Sequence, residues 1–585
     1  MYDKHPFVPV SSSRQECSEG WAAIAERLRA AAVQRNAEVI CVECYPGVLV
    51  RDVADALRAV FQPCRIIATE ELLHPPVEID RRVAPLLTDD PVFGLLSDFA
   101  IRDFFDEEQL RAAQQSVKEH PEGLTLVIGT GATLVARQPD LLVYADLARW
   151  EIQLRQRRGE IGNLGADNRG DRASEKYKRA YFVDWRAADR LKARLLPRID
   201  FLLDTNDPLL PKMIAGWSMR NGFRIATQRP FRVVPFFDPG PWGGHWMERV
   251  CGLPEDQPNH AWCFDCVPEE NSLLLGFGTA RVEIPSLNLV LAHPGELLGE
   301  DIHRRFGAEF PIRFDFLDTM DGGNLSLQVH PFTQYVCDHF GLAYTQDESY
   351  YLLDAGDDAC VYLGLKEKID PQAMLCDLAA AQNGGPAFNA ERYVNRWPAR
   401  KHDHFLIPAG TVHCSGRNSM VLEISATPYI FTFKLWDWGR LGLDGRPRPI
   451  HLQRGAENIQ WDRTTAWVER SLINRLEPLA SGRGWTEERT GLHELEFIET
   501  RRHWFTGPVA HDTCGTVNVL NLVEGAEAIV ESPAGAFDPF IVHYVETFIV
   551  PAQVGAFTIR PHGPADGQKC ATMKAFVRPQ SQRLI

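Results

Sequence analysis

Nowhere in the 585 residues do about 18 apolar residues run together, so no membrane-spanning helix is expected. Nor does the opening Met1-Tyr-Asp-Lys-His-Pro carry the charged, apolar and small-residue order of a signal peptide. A basic excess is missing as well: 62 Lys and Arg stand against 78 Asp and Glu, a formal net charge of −16. That balance argues against a general nucleic-acid surface and an anionic membrane, although a few local Lys and Arg can still hold a small anion. The 13 cysteines are scattered and odd in number, which fits a reduced cytoplasm better than a disulfide framework. Two Cys-x-x-Cys pairs, Cys41/Cys44 and Cys263/Cys266, lie in strand-like runs where an offset of three sends side chains to opposite faces. They are expected to be buried and inert rather than to form a zinc site.

What is present is an ordinary globular composition, 45% hydrophobic and 24% charged, in a chain too long for one core. Three domains are expected: 1–225, 226–475 and 476–585. In the first, a helical pattern over 13–36 precedes the buried run 38–44, a Tyr-Pro-Gly turn and a helix from Val50 to Phe61. Further apolar runs at 65–69, 124–130 and 141–145, with helical stretches near 94–120 and 147–158, predict an α/β domain around a parallel sheet. In outline this resembles a P-loop nucleoside kinase in degenerate form. The signature needs two glycines, a Lys and a Ser or Thr at the phosphates, but here Gly47 is followed by Val48-Leu49-Val50. The domain is therefore expected to serve as scaffold, partner surface or regulatory module, with no nucleotide chemistry.

From Phe231 the pattern turns β-rich. Short apolar runs at 273–278, 287–291, 361–364, 405–407, 420–424 and 429–434, punctuated by Pro and Gly, predict all-β jelly rolls of the cupin form with a helical insertion at 370–397. Residues 476–585 are again strand-rich and read as a second, metal-free jelly roll. Within Asn324-Leu-Ser-Leu-Gln-Val-His-Pro331, Gln328 and His330 are two apart and share one face of a strand. Glu348 follows in a second strand-like run, and His413 follows a Pro/Gly turn. An amide oxygen, two imidazoles and a carboxylate suit Zn²⁺ with one position left open, as catalytic rather than structural zinc requires.

Several motifs carry a resemblance that spans Phe231 to about Trp461. They are Leu-Ser-Leu-Gln-Val-His-Pro (325–331), Val-Tyr-Leu-Gly-Leu-Lys (361–366), Ile-Pro-Ala-Gly-Thr-Val-His (407–413), Val-Leu-Glu-Ile (421–424) and the Trp-Asp-Trp-Gly-Arg-Leu-Gly-Leu-Asp-Gly-Arg-Pro-Arg-Pro run (436–449). Together they are similar to class I mannose-6-phosphate isomerases. The resemblance implies zinc on Gln328, His330, Glu348 and His413, a phosphate-binding Ser326, and an acidic catalytic residue at Glu423. It also implies a Lys two places before the metal Glu, where this chain has Gln346. A catalytic Arg falls, after a one-residue shift, on Lys434, with Arg440 beyond it. Substrate would thus meet Ser326, Gln346, Lys434 and Arg440.

The implied activity is the zinc-dependent interconversion of mannose 6-phosphate and fructose 6-phosphate. Two alternatives stand beside it: a sugar- or sugar-phosphate-binding regulator that kept the metal, and an isomerase of another sugar. A small sugar phosphate is the expected partner, without nucleic acid or membrane, in the cytoplasm; a homo-oligomer stays open. His339, His402 and His404 are expected to be packing or surface residues, and Trp436, Trp438 and Trp461 to be core. Arg440, Arg446 and Arg448 suit either a solvated face or a phosphate clamp.

Overall fold

Four runs rich in Val, Ile and Leu, Val39–Cys44, Leu124–Gly129, Leu141–Asp146 and Phe201–Asp204, are buried almost end to end. Strands covered on both faces lose the alternation of a half-exposed sheet. In the computed structural model, which describes residues 1–62, 64–119, 123–426, 429, 431–443, 445, 448–491 and 496–578, these four are neighbours in one sheet. The chain divides into two units: 7–225 with 272–292, and 1–6 with 226–271 and 293–585.

The first unit is α/β. Its seven-stranded sheet runs Cys17–Glu19, Lys212–Ala215, Phe201–Asp204, Leu141–Asp146, Val39–Cys44, Leu124–Gly129, Cys64–Ala68. The last five are parallel to one another, as the alternating pattern predicts. The first two pair antiparallel, so the sheet is mixed at that edge. Helices Gly20–Arg35, Val50–Val60, Glu107–Lys118, Arg149–Arg157 and Trp185–Leu195 accompany it. A second sheet of three strands pairs Phe7–Ser11 parallel to Ser272–Phe277, which pairs antiparallel to Ala280–Pro285. Segment 272–292, which the sequence places in the second domain, is therefore part of the first unit.

The run 287–291, expected as a strand, is the helix Leu287–Ala292. Periodicity cannot separate a short apolar strand from a buried helical turn, and this helix carries Asn288 to a buried ion pair. The buried Lys192 ammonium lies 3.0 Å from both Asp146 carboxylate oxygens and from Asn288 Oδ1. Asn288 Nδ2 in turn donates to Asp146 Oδ2 at 2.8 Å, so the buried charges are paired and hydrogen-bonded.

The second unit is β-rich and, among the described residues, holds four antiparallel sheets. In the part that carries the site, a six-stranded sheet runs His404–Ile407, Asp347–Ala355, Ser419–Ala426, Arg313–Asp318, Trp262–Cys266, Phe236–Asp238. A five-stranded sheet runs Val394–Pro398, Cys360–Leu365, His413–Ser415, Leu327–Val329, Phe433–Trp436. Toward the C-terminus, a six-stranded and a four-stranded sheet enclose a core that includes Phe505, Leu520, Val530, Phe548 and Phe557. This unit is not all-β outside the insertion: Thr333–Phe340, Glu300–Phe306 and Thr465–Ser471 are helices too. The insertion itself holds helices Pro371–Gln382 and Ala390–Tyr393 and closes on the strand Val394–Pro398. Phe231 bridges Ile549 through two backbone hydrogen bonds of 3.0 and 2.8 Å, and buried Arg232 lies 2.8 Å from Glu546.

All 13 cysteines are free, and no helix among the described residues is long and apolar enough to cross a membrane.

His404 ties two of the sheets, its Nδ1 2.9 Å from the Thr490 carbonyl oxygen. Burial lowers its pKa from 6.5 to about 3. The fold thus keeps the imidazole neutral, whereas the unfolded chain takes up a proton near the ordinary value. Because the folded value is the lower one, this contribution to stability is whole above pH 6.5 and drains away as pH falls toward 3. His404→Asn, which keeps a donor toward Thr490, is expected to fall less steeply in melting temperature between about pH 6.5 and 4 than the parent chain. Parallel curves would show that His404 has no part in acid sensitivity.

Candidate metal centre and cavity

The centre is assembled where the two site-bearing sheets meet. Gln328 sits on Leu327–Val329 and His330 immediately follows it; His413 opens the neighbouring strand, paired directly with Gln328. Glu348 comes from the other sheet, on Asp347–Ala355. Its carboxylate lies between the two imidazoles, Oε2 3.1 Å from His330 Nε2 and Oε1 3.0 Å from His413 Nε2. The far nitrogens are held by backbone: His330 Nδ1 by the Phe431 carbonyl at 2.7 Å and His413 Nδ1 by the Thr411 carbonyl at 2.8 Å. Such contacts fix ring orientation and leave both Nε2 atoms facing inward, as metal-binding histidines require. Gln328 closes the group, its amide nitrogen 3.2 Å from His413 Nε2.

Electrostatically the group is unsettled without a cation. His330 Nε2 and Glu348 Oε1 are buried, and although each has an ion-pair contact, at 3.1 and 3.0 Å, neither makes a hydrogen bond of good geometry among the described residues. Burial opposes the charge on Glu348, but the two histidines outweigh it and hold the carboxyl well below its ordinary value. Burial also opposes a charged His330, and Glu348 reverses that, raising its pKa; at His413 burial prevails and the pKa falls. A divalent cation would satisfy both orphaned atoms at once, and His330, Glu348 and His413 are the one such trio of candidate ligands among the described residues, all within 4.8 Å.

Beside this group, reached through Gln328 and Gln346 and not lined by His330, Glu348 or His413, lies a cavity of about 200 Å³. Gln328, Gln346, Glu423, Ser326 and Lys434, all singled out from the sequence, line it. Gln346 accepts the Phe431 N–H at 3.0 Å and donates to Glu348 Oε2 at 2.8 Å and Glu423 Oε1 at 3.3 Å. Its amide therefore spans the two carboxyls instead of pointing free. Glu423 is pushed well above its ordinary value by burial, then by the charges of Glu348 and Asp315. Burial, then Arg448, lowers Lys434 to about 7.

Ser326 donates to Asp437 at 2.9 Å and accepts from Arg448 at 3.0 Å. Asp437 also takes hydrogen bonds from Arg448 at 2.9 Å and Arg440 at 2.8 Å. Arg440 is thus directed at Asp437 and does not line the cavity, whereas Arg448 does. Arg446 lies outside the described residues. His339 is exposed and stacked on Tyr335, and His402 Nδ1 lies 2.8 Å from the Tyr351 hydroxyl; neither belongs to the candidate ligand trio.

Arg313 and Asp315 escaped the sequence reading, although both line the cavity. The available signal was their alternation with Phe314 and Phe316 in a strand that is buried throughout.

In the α/β unit, the turn after Val39–Cys44 borders a separate cavity of about 450 Å³. Arg155 donates to the Gly47 carbonyl at 3.0 Å, and a Cβ at Gly47 would meet Ile152 at 2.9 Å, so the chain's own side chains crowd this turn.

The architecture is that of an α/β unit joined in one chain to a β-rich unit with a buried His-Glu-His centre. Residues 20–228 match the family model of a domain of unknown function, DUF8485. Over 233 residues the chain is 25% identical to a mannose-6-phosphate isomerase of Streptococcus mutans, covering 39% of this chain and 68% of that one. Mannose-6-phosphate isomerase ManA of Bacillus subtilis is 25% identical over 240 residues, 40% of this chain and 69% of that one. Among solved structures, mannose 6-phosphate isomerase from Bacillus subtilis matches 60% of this chain and 99% of its own, at 18% identity and a TM-score of 0.48.

Proposed function

We propose that the β-rich unit is a zinc-dependent aldose–ketose isomerase of the cupin form that interconverts mannose 6-phosphate and fructose 6-phosphate in the cytoplasm. The observation that carries this reading is the buried His330, Glu348 and His413 group, with ligand atoms within 4.8 Å of one another, beside a cavity that Gln328, Lys434, Ser326 and Arg448 line. Similarity to proteins named mannose-6-phosphate isomerases supports it.

Gln328, His330, Glu348 and His413 would hold the ion, and nitrogen with oxygen donors in that number suits zinc. When bound, it supplies Lewis acidity toward a carbonyl oxygen. Lys434, Ser326 and Arg448 hold the phosphate, and the Lys434 charge also offsets the anion that develops when a proton leaves carbon. Arg440 works through Asp437, orienting Ser326. Glu423 takes the proton from the carbon beside the carbonyl and returns it to the former carbonyl carbon, while the hydroxyl proton passes from the one oxygen to the other, help of a kind worth about 10²–10⁴-fold. A carboxylate whose pKa is raised by burial is the stronger base. Gln346 orients Glu348 and Glu423 and lies within reach of substrate.

The α/β unit would be a degenerate P-loop kinase-like domain serving as scaffold, partner surface or regulatory module, and the C-terminal sheets a metal-free cupin-like domain. Gln346, uncharged and spent on two carboxyls, favours a second reading: a sugar-phosphate-binding regulator without turnover.

One assay separates the two. The intact chain given mannose 6-phosphate is expected to form ketose, to stop with chelator and to recover with zinc. Full metal loading and substrate binding with no ketose formed would replace the enzyme by the regulator.

A further inference from the structure

The strand Arg313–Asp318 brings Arg313, Asp315 and Leu317 to the cavity, as expected for residues two apart on one strand face. Asp315 is 7% exposed. Its Oδ1 is buried and finds no hydrogen-bond partner among the described residues, while Oδ2 lies 4.0 Å from Arg313 Nε. Across the sheet its direct partner is Glu423, which lines the same cavity. One sheet thus gives the cavity two neighbouring carboxyls, and the other gives it Gln328 and Lys434.

A buried acceptor left without a donor is costly unless something fills the cavity and donates to it. An anionic phosphate cannot, because a carboxyl repels it, and Lys434 and Arg448 are the groups suited to that end. The metal centre does not recruit Asp315 either, since its ligand atoms come from His330, Glu348 and His413. What remains is a neutral donor on the carbon chain between the two ends. We infer that Asp315 accepts a hydrogen bond from one sugar hydroxyl and thereby sets which sugar phosphate the cavity takes. This rests on the isomerase reading of the site, and it adds a specificity residue to that reading. An ionised carboxylate accepts without donating, so an analogue with hydrogen in place of that hydroxyl leaves Oδ1 unpaired again.

The test is calorimetric titration of the full, metal-loaded chain and of Asp315→Asn with mannose 6-phosphate, its monodeoxy analogues, an amino-substituted analogue and inorganic phosphate. In the parent chain one monodeoxy analogue is expected to bind about 10–100-fold more weakly than mannose 6-phosphate, the range for losing a charged hydrogen bond. In Asp315→Asn that difference shrinks to about threefold or less, while the affinity for inorganic phosphate and the metal content stay as in the parent. An amino analogue that binds the parent more tightly, but not the variant, likewise supports a required donor and shows that ammonium serves as well as hydroxyl. If no monodeoxy analogue binds the parent more than about threefold more weakly, the inference is overturned without recourse to any variant. Equal penalties in parent and variant also overturn it. Failure of the parent to bind any sugar phosphate is a separate result that removes the isomerase reading itself.

Discussion

Glu348→Gln should purify without its metal and with ketose formation at background. The carboxylate is 1% exposed and stands between both inward-facing imidazole nitrogens, at 3.1 and 3.0 Å. An amide of the same shape can still bond to one ring nitrogen but brings no negative charge to offset a dication. Disturbing an outer partner of a ligand costs about 10–100-fold in metal affinity or activity, so loss of the central ligand should exceed that. Removing one partner of a buried pair is destabilising, but the imidazoles can lose the proton that Glu348 supports, so the fold is expected to survive with lowered stability. Elemental analysis decides the matter: equal metal content in the parent and in Glu348→Gln would refute the centre, whatever the activity.

Lys434→Ala is expected to lower turnover by about 10²–10³-fold, the usual cost of one preorganised group at a developing anion. Lys434→Arg should retain most of the rate, and both should keep the metal. Lys434 lines the cavity; burial, then Arg448, lowers its pKa to about 7 against the pull of Asp437, so an anion beside it would restore its full charge. Arg brings two parallel donors where Lys brings one compact charge, so this exchange is kept separate from loss of the charge. Parent-like rates in both variants would make Lys434 a strand residue, and Arg448 or Arg440 would then carry the anion.

The α/β order was legible because strands buried on both faces show as unbroken apolar runs, and Val39–Cys44 and Leu141–Asp146 are of that kind. Phe7–Ser11 gave no such signal, since it is half exposed and its partner Ser272–Phe277 lies far along the chain. Gln328 and His330 were legible through their two-residue spacing. Arg313 and Asp315 have the same spacing, but charges alternating with Phe usually mark a strand with one wet face, and only the neighbouring sheet makes that face a cavity wall. Likewise nothing local to Gln346 reveals that its amide meets Glu423, a carboxyl brought near by another strand.

The division of the chain also bears on how it is made. Phe7–Ser11 leaves the ribosome well before its parallel partner Ser272–Phe277 and the outer strand Ala280–Pro285, which arrive only after 226–271, residues that belong to the other unit. During synthesis the α/β unit must therefore wait with one strand unpaired and with Lys192 and Asp146 lacking Asn288. Loop closure of this length slows folding more than it costs in stability. A chain arrested before residue 272 would present exposed strand edges, the condition under which holding chaperones are needed.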